Sequence, residues 1–397
     1  MDIYFGTIVR AARVSEGGSL FKLDWENKSI IREVPIVPTD PKLDHDPNAR
    51  GNVRGCRGIR VVGNEVIASD YHTLNIFDRD LNRKRTVSHG LMAGLHEIDI
   101  AGSSVWVTST TLDAVLKYNL ASGEKEAEFW PREEPAFQQA LNIEPLPVDK
   151  SIDNRATFLD NASFRGPSHL HLNAVCEFRG EVYALFHSKC VVANLSRGTI
   201  VIRDQKLKHA HNLIIEEPGV AFINDTHRTV VRQYDLDSGR QIRAIDIKKM
   251  PGIKSLVLKS AARALREMGV SFFSTKRKAT ARPLYLRGLA INEKYIFAGF
   301  SPATIVRIDK KTGQPVDFYF QHHRHEFTQF TPGKSLVREP DKIFFRYFHQ
   351  KPISVFSKGH TVIGQLHKDF FLQFRIIHNI FLILIERIPI QLAIFLN

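Results

Sequence analysis

The chain of 397 residues is long enough for one large or two ordinary domains with a sizeable core. Its 43% hydrophobic and 24% charged residues are ordinary for a soluble globular protein and speak against a disordered one. Three cysteines, Cys56, Cys176 and Cys190, exclude a disulfide scaffold and lack zinc-ligand spacing, while the net charge of +13 points to acidic or anionic partners without bearing on the fold.

The N-terminal residues Ile3–Val9, Ser19–Leu23 and Ile30–Ile36, around Asp24 and Asn27, read as three strands. The opening segment has no basic region followed by an apolar core and cleavage site, so it reads as a strand and not as a secretion signal. With so few cysteines, a reducing, cytoplasmic setting is expected. Two hairpins follow, Arg57-Gly-Ile-Arg-Val-Val-Gly-Asn-Glu-Val-Ile-Ala and His96-Glu-Ile-Asp-Ile-Ala-Gly-Ser-Ser-Val-Trp-Val. Residues 131–168 are rich in Pro, Asn and charge and carry no alternating strands. The hairpin pattern resumes at Asn173-Ala-Val-Cys-Glu-Phe-Arg-Gly-Glu-Val-Tyr-Ala and at His211-Asn-Leu-Ile-Ile-Glu-Glu-Pro-Gly-Val-Ala-Phe. Residues 248–282 interrupt again, with ten Lys and Arg against Glu267 alone and a helical pattern over Ser255–Met268 ended by Gly269. No aromatic residues are interleaved for base stacking, so specific nucleic-acid binding is not expected there. The last hairpin is Arg287-Gly-Leu-Ala-Ile-Asn-Glu-Lys-Tyr-Ile-Phe-Ala. Residues 370–397 are far more apolar than the rest, but Glu386, Arg387 and Pro389 break the run, which argues against a membrane span.

The five hairpins are copies of one unit, and a fixed internal repeat decides the fold. Each is followed by a second element: Tyr118-Asn-Leu-Ala-Ser-Gly, Tyr234-Asp-Leu-Asp-Ser-Gly and Ile308-Asp-Lys-Lys-Thr-Gly, with weaker copies at Phe77-Asp-Arg-Asp-Leu-Asn and Asn194-Leu-Ser-Arg-Gly. An apolar strand end, an Asp or Asn and then Gly is hairpin chemistry: the Asx side chain caps the turn and glycine supplies positive φ. Two hairpins make four strands, which is one propeller blade. The predicted fold is therefore all-β: a six-bladed β-propeller of four-stranded antiparallel blades over residues 1–333. The 131–168 and 248–282 segments are insertions over one face, the latter with a short helix. Residues 334–397 form a closing segment and an atypical apolar tail. The N-terminal unit lacks its innermost strand, which is expected from within 317–350.

Arg57, His96, Asn173, His211 and Arg287 lead the five inner strands, so they converge on the central tunnel. His171 shares a strand face with Asn173, as His209 does with His211, and Asn212 points the other way. The histidines alone would suit a divalent metal. Two guanidiniums on the same ring oppose a cation, by roughly 4 kcal/mol at close range with an effective dielectric near 20. Arg, His and Asn together suit an oxyanion instead. The expected site has no metal and no cofactor. His171 and His211 are the candidate catalytic groups, and Arg57, His96, Asn173, Asn212 and Arg287 bind substrate. Cys56, beside Arg57, reads as a buried structural thiol.

The segments Ser168-His-Leu-His-Leu-Asn-Ala-Val, Lys208-His-Ala-His-Asn-Leu, Gly219-Val-Ala-Phe-Ile-Asn and Leu286-Arg-Gly-Leu-Ala-Ile carry a resemblance. They resemble an uncharacterised bacterial family of six-bladed propellers, some fused to tetratricopeptide repeats, over residues 170–315 and more loosely over 55–125. That resemblance implies the fold and the ring. His171-Leu-Asn173 and His211 also resemble positions of the arylsulfate sulfotransferases, six-bladed enzymes whose tunnel His and Arg carry a sulfuryl group; here Phe222-Ile-Asn-Asp stands in place of their Phe-Asp-Asn strand. Gluconolactonase and strictosidine-synthase-like propellers place Asn and Asp metal ligands at inner-strand starts. Asn173 matches them, but Arg287 replaces the Asp.

The function expected is binding of an anionic small molecule in the tunnel, with group transfer or hydrolysis through His. Two other classes compete: an interaction scaffold that docks a protein partner on the basic insertion, and a metal-dependent hydrolase or lyase.

Overall fold

The computed structural model describes residues 1–9, 12–40, 43, 53–156, 159, 166–253, 284–301 and 304–320, and the backbone of 332–333. The proposed helix over Ser255–Met268, most of the basic insertion and the 334–397 tail lie outside the described residues.

Six four-stranded antiparallel sheets form a six-bladed β-propeller. The first holds β1 (Asp2–Gly6), β2 (Ser19–Asp24) and β3 (Ser29–Pro35). The second holds β4 (Ile59–Val62), β5 (Glu65–Ser69), β6 (Thr73–Asp78) and β7 (Arg83–Ser88). The third holds β8 (Leu95–Ala101), β9 (Ser104–Ser109), β10 (Ala114–Asn119) and β11 (Lys125–Phe129). The fourth holds β12 (Leu172–Phe178), β13 (Glu181–Phe186), β14 (Val191–Asn194) and β15 (Thr199–Arg203). The fifth holds β16 (His211–Glu216), β17 (Val220–Asp225), β18 (Val230–Asp235) and β19 (Gln241–Asp246). The sixth holds β20 (Leu286–Ile291), β21 (Tyr295–Phe300), β22 (Thr304–Asp309) and β23 (Pro315–Phe320). The missing inner strand of the first blade is β24 (Pro332–Gly333), which pairs antiparallel with Asp2 and Ile3. It falls within the interval read from the sequence.

Each blade packs on its neighbours, so the inner strands whose burial is described are largely buried while the outer one is wet. Ile3, Phe21 and Trp25 of the first blade meet Leu289, Phe297 and Ile305 of the sixth, with Trp25 edge-on to Phe297 at 5.3 Å. Tyr4 and Leu20 meet Ile59 and Phe77 across the first and second blades. Trp106 and Val115 meet Val175 and Phe186 across the third and fourth. Aromatic burial of this size dominates core energetics. Gly58 allows a close approach between blades: a Cβ there would lie 3.0 Å from the His96 carbonyl oxygen and 3.1 Å from the Ile98 nitrogen. The insertion after the third blade contains α1 (Pro135–Leu141), with Pro at its first turn, where no N–H is needed. Among the described residues, no helix is long and apolar enough to cross a membrane.

The outer hairpins use the Asx chemistry read from the sequence. Oδ1 of Asp24, Asp78, Asn119, Asn194, Asp235 and Asp309 accepts backbone N–H groups of the following turn, for example Ser238 N–H to Asp235 at 2.8 Å. Hydrogen bonds from Asn27, Asn82, Ser238 and Thr312 hold the carboxyls of Asp24, Asp78, Asp235 and Asp309 below the usual range. Their folded pKa values lie below the unfolded ones. The stability they contribute is complete above the unfolded value near 4 and is lost as pH falls through the folded values. Denaturant midpoints should therefore fall steeply below about pH 4. Asp235→Asn keeps the turn acceptor without the titration, and should flatten that fall; an unchanged profile would remove Asp235 from the account.

Candidate functional site

An irregularity at the start of every fully described inner strand fixes which side chains leave the regular register there. The ladder passes over Asn173 between Leu172 and Ala174, Asn212 between His211 and Leu213, and Arg287 between Leu286 and Gly288. In the third blade it passes over His96 and Glu97 together, and in the second Arg57 and Gly58 share one partner, Ser69. Such bulges twist the strand and re-aim a side chain. The equivalent residues are thus Arg57, His96, Asn173, Asn212 and Arg287. His211 begins β16 as expected, but Asn212 and not His211 stands at the bulge equivalent to Asn173 and Arg287. In the fifth inner hairpin the position equivalent to Asn173 and Arg287 lies one residue later than the repeat alignment implies, because the bulge falls on Asn212. His211 therefore pairs with Asn224 and is 1% exposed, and Asn212 takes the ring position.

Histidines from three successive blades then pack ring against ring. His96 meets His171 at 5.4 Å, and His171 meets His169 at 5.2 Å and His187 at 4.6 Å. His187 lies 4.9 Å from His209 and 6.0 Å from His211, and His209 stacks on His227 at 4.4 Å. His227 reaches Tyr285 at 5.4 Å, and the Arg287 guanidinium lies 4.7 Å over the Tyr285 ring. Seven of the 17 histidines thus form one arc that ends on an arginine, a concentration of titratable groups expected of a site. Arg57 is held in a like manner, 5.0 Å over Tyr71, with Nη1 donating to the Leu95 carbonyl. His96, His171, His187, His209 and Arg287 are half-buried, and His227 is exposed. His171 and His209 both take left-handed backbone, φ 54° and 65°, a conformation disfavoured for side chains with a Cβ. Non-glycine strain of this sort clusters at functional sites.

His169 Nδ1 lies 2.9 Å from Asp113 Oδ2, and His169 Nε2 lies 3.3 Å from His171 Nδ1. Asp113, in the turn between β9 and β10, also accepts the Leu170 and His171 backbone N–H groups, each at 2.9 Å. Arg132 Nη1 lies 3.5 Å from the same carboxylate, and its other nitrogens donate to the Glu144 and Pro145 carbonyls. The 131–168 insertion is thereby pinned beside the arc.

The ring residues of the other blades make a buried polar layer. Asn212 Nδ2 donates to Glu97 Oε1 at 2.5 Å, linking the fifth blade to the third. Asn224 Nδ2 donates to Asn212 Oδ1 and to the Gly288 carbonyl, and Asn173 Nδ2 donates to the Ala210 carbonyl. Asn173 Oδ1 is buried with no hydrogen-bond partner among the described residues. Further along the same strands, Arg60 Nε meets Asp99 Oδ1 at 3.3 Å, and Asp99 Oδ2 accepts the Glu177 N–H at 2.7 Å. Burial pushes the Arg60 guanidinium down to about 9 against the pull of Asp99 and Glu97. Burial likewise pushes the Cys56 thiol far up, which keeps it unreactive.

His211 Nδ1 donates to the His209 carbonyl at 3.0 Å and meets Thr226 Oγ1 at 2.8 Å, so it is both enclosed and engaged. Of the two candidate catalytic histidines, His171 is the accessible one. Sequence reasoning missed Asp113, His169, His187 and His227. The pairs His169-x-His171 and His209-x-His211 were a visible signal for the first histidine, whereas Asp113, His187 and His227 come from turns that no repeat alignment marks. Among the described residues, no three His, Cys, Asp or Glu side chains are grouped to hold a metal ion.

No protein-family model and no curated protein matches this chain. Among solved structures it is similar to a protein of unknown function from Bacteroides caccae. The TM-score is 0.51 and the identity 9%, over 83% of this chain and 98% of that one. That likeness concerns the fold.

Asp99→Ala would remove the carboxylate that meets Arg60 Nε at 2% exposure, for an expected loss of about 3–5 kcal/mol in denaturant unfolding. A loss under about 1 kcal/mol, the range of an exposed pair, would show that water reaches Arg60.

Proposed function

We propose that this propeller binds an anionic small molecule at the histidine-lined mouth of its tunnel and acts on it through His171. The observation that carries this reading is the arc of packed histidines running into Arg287. It brings together imidazole nitrogens and a guanidinium held against Tyr285, 4.7 Å from the ring centre with Nη2 donating to the hydroxyl. Arginine held in this way suits carboxylate, phosphate or sulfate, which accept two parallel N–H bonds. The acidic groups beside the arc support the same reading. Asp113 accepts bonds from His169, Leu170 and His171, and Glu97 accepts one from Asn212. Asp113 and the Oε1 oxygen of Glu97 are thus turned to the protein's own donors.

In this proposal His171 is the general base. It takes a proton from a water or hydroxyl that attacks the electrophilic centre of the bound anion, then returns it to the leaving oxygen. Arg287 balances the charge that develops on the remaining oxygens. His96 and His187, which pack on His171, orient the ligand. Arg57, against Tyr71 and the Leu95 carbonyl, completes the positive side of the mouth.

Thermal unfolding in phosphate, sulfate and citrate tests the binding step. At about 100 times Kd, a ligand that binds only the native state adds roughly 2.7 kcal/mol. At least one of these anions should raise the midpoint of the wild type. Arg287→Ala should weaken that binding at least tenfold by calorimetry, about 1.4 kcal/mol. A midpoint that no anion moves, or equal anion affinity in Arg287→Ala, would overturn the proposal.

A further inference from the structure

The order of hydrogen bonds through Asp113, His169 and His171 has a consequence for which nitrogen of His171 can react. A carboxylate only accepts, so the 2.9 Å contact from Asp113 Oδ2 to His169 Nδ1 places a proton on that nitrogen. The Leu170 N–H donates to the same oxygen and the His171 N–H to Oδ1, so Asp113 has donors on both sides and no role for a proton of its own. Neutral His169 protonated at Nδ1 has a lone pair at Nε2. That lone pair is 3.3 Å from His171 Nδ1, which must then be the donor. Free imidazole side chains in water favour the opposite tautomer, with the proton on Nε2.

We propose that Asp113 and His169 are positioning residues that hold His171 in the Nδ1–H tautomer. Its Nε2 is then the basic nitrogen of the ring. This deepens the function proposed above, since it rests on His171 as the acting group. When His171 takes a proton at Nε2, its Nδ1–H stays donated to His169 and the His169 Nδ1–H stays donated to Asp113. No proton moves to the carboxylate. The orienting role is that of the carboxylate in a Ser-His-Asp triad, extended through one more imidazole.

The backbone and the insertion hold this geometry from both ends. Asp113 is 1% exposed and His169 6% exposed, so water does not compete for the bonds between them. The titratable and charged groups facing the relay are His96 and His187 on the His171 ring, and Arg132 and Lys189 near Asp113. Left-handed backbone at both Asp113 (φ 52°) and His171 (φ 54°) turns the two segments towards each other.

A merely structural Asp113 would cap the 169–171 backbone without setting a tautomer, and the nitrogen chemical shifts of His171 separate the two cases. Uniformly 15N-labelled protein, observed well above the ordinary imidazole pKa of about 6.5, should show His171 protonated at Nδ1. His169→Phe keeps a ring in place but removes the acceptor, and should return His171 to the Nε2–H form. His169→Gln restores an acceptor near the position of Nε2, and should restore the Nδ1–H form. Wild-type His171 in the Nε2–H form would overturn the proposal without any variant. An unchanged tautomer in His169→Phe would overturn it as well. Because no ligand is needed, this outcome is separate from the anion titration: the relay stands or falls on the tautomer, and the binding reading on the affinity.

Discussion

A β-bulge at the start of the inner strands β8, β12, β16 and β20 puts one more residue on that strand than its partner can pair. The rest of the site depends on this local mismatch. Both faces of every blade are committed to apolar contact with neighbouring blades, so a polar side chain in regular register would enter a core. The bulge takes one residue per blade out of that alternation. Asn173, Asn212, His96 and Arg287 thereby leave the inter-blade packing, and turns such as those holding Asp113, His187 and His227 surround them from the same face. Gly58 serves the same end by letting the second blade approach the backbone of His96 and Ile98.

Polar groups gathered in this way have to be satisfied where they are buried, because an unpaired buried donor or acceptor costs about 1–3 kcal/mol. The chain answers with side-chain bonds that run between blades: Asn212 to Glu97, Asn224 to Gly288, Asn173 to Ala210, Arg60 to Asp99. These bonds fix the rotation of one blade against the next more narrowly than apolar contact does, since hydrogen bonds have direction and hydrophobic burial does not. The polar layer and the histidine arc are therefore coupled mechanically. A shift of the fifth blade that broke Asn212 from Glu97 would also move His209 and His211.

Much of the fold was legible because the repeat is written in residues with one local meaning. Asp or Asn followed by Gly at the outer hairpins, and alternating apolar strands before them, fixed the blade unit and the count. The gap in the first unit located the closing strand to within the interval 317–350. The site was legible only by strand register, and register failed where a bulge displaced it. His211 and Asn212 are neighbours, and the bulge falls on the second of them, one residue later than the aligned repeat implies. Asp113 and His227 were out of reach for another reason. They lie in turns, where sequence carries backbone conformation and not spatial neighbourhood, and their partners stand 56 residues away for Asp113 with His169, and in the next blade for His227 with Tyr285.

The pairing of Pro332–Gly333 with Asp2 and Ile3 also bears on how the chain reaches this structure. β1 is translated long before the strand that becomes its inner neighbour. At roughly 5–20 residues per second, the edge of β1 waits on the order of half a minute before its partner exists. Contacts of such sequence separation also slow folding once the chain is complete. During that interval Ile3 and Phe5, later sealed against the sixth blade, border an open sheet edge, the kind of surface that recruits other strands and aggregates. Until β24 is made, the edge of β1 must therefore be kept from pairing with other strands.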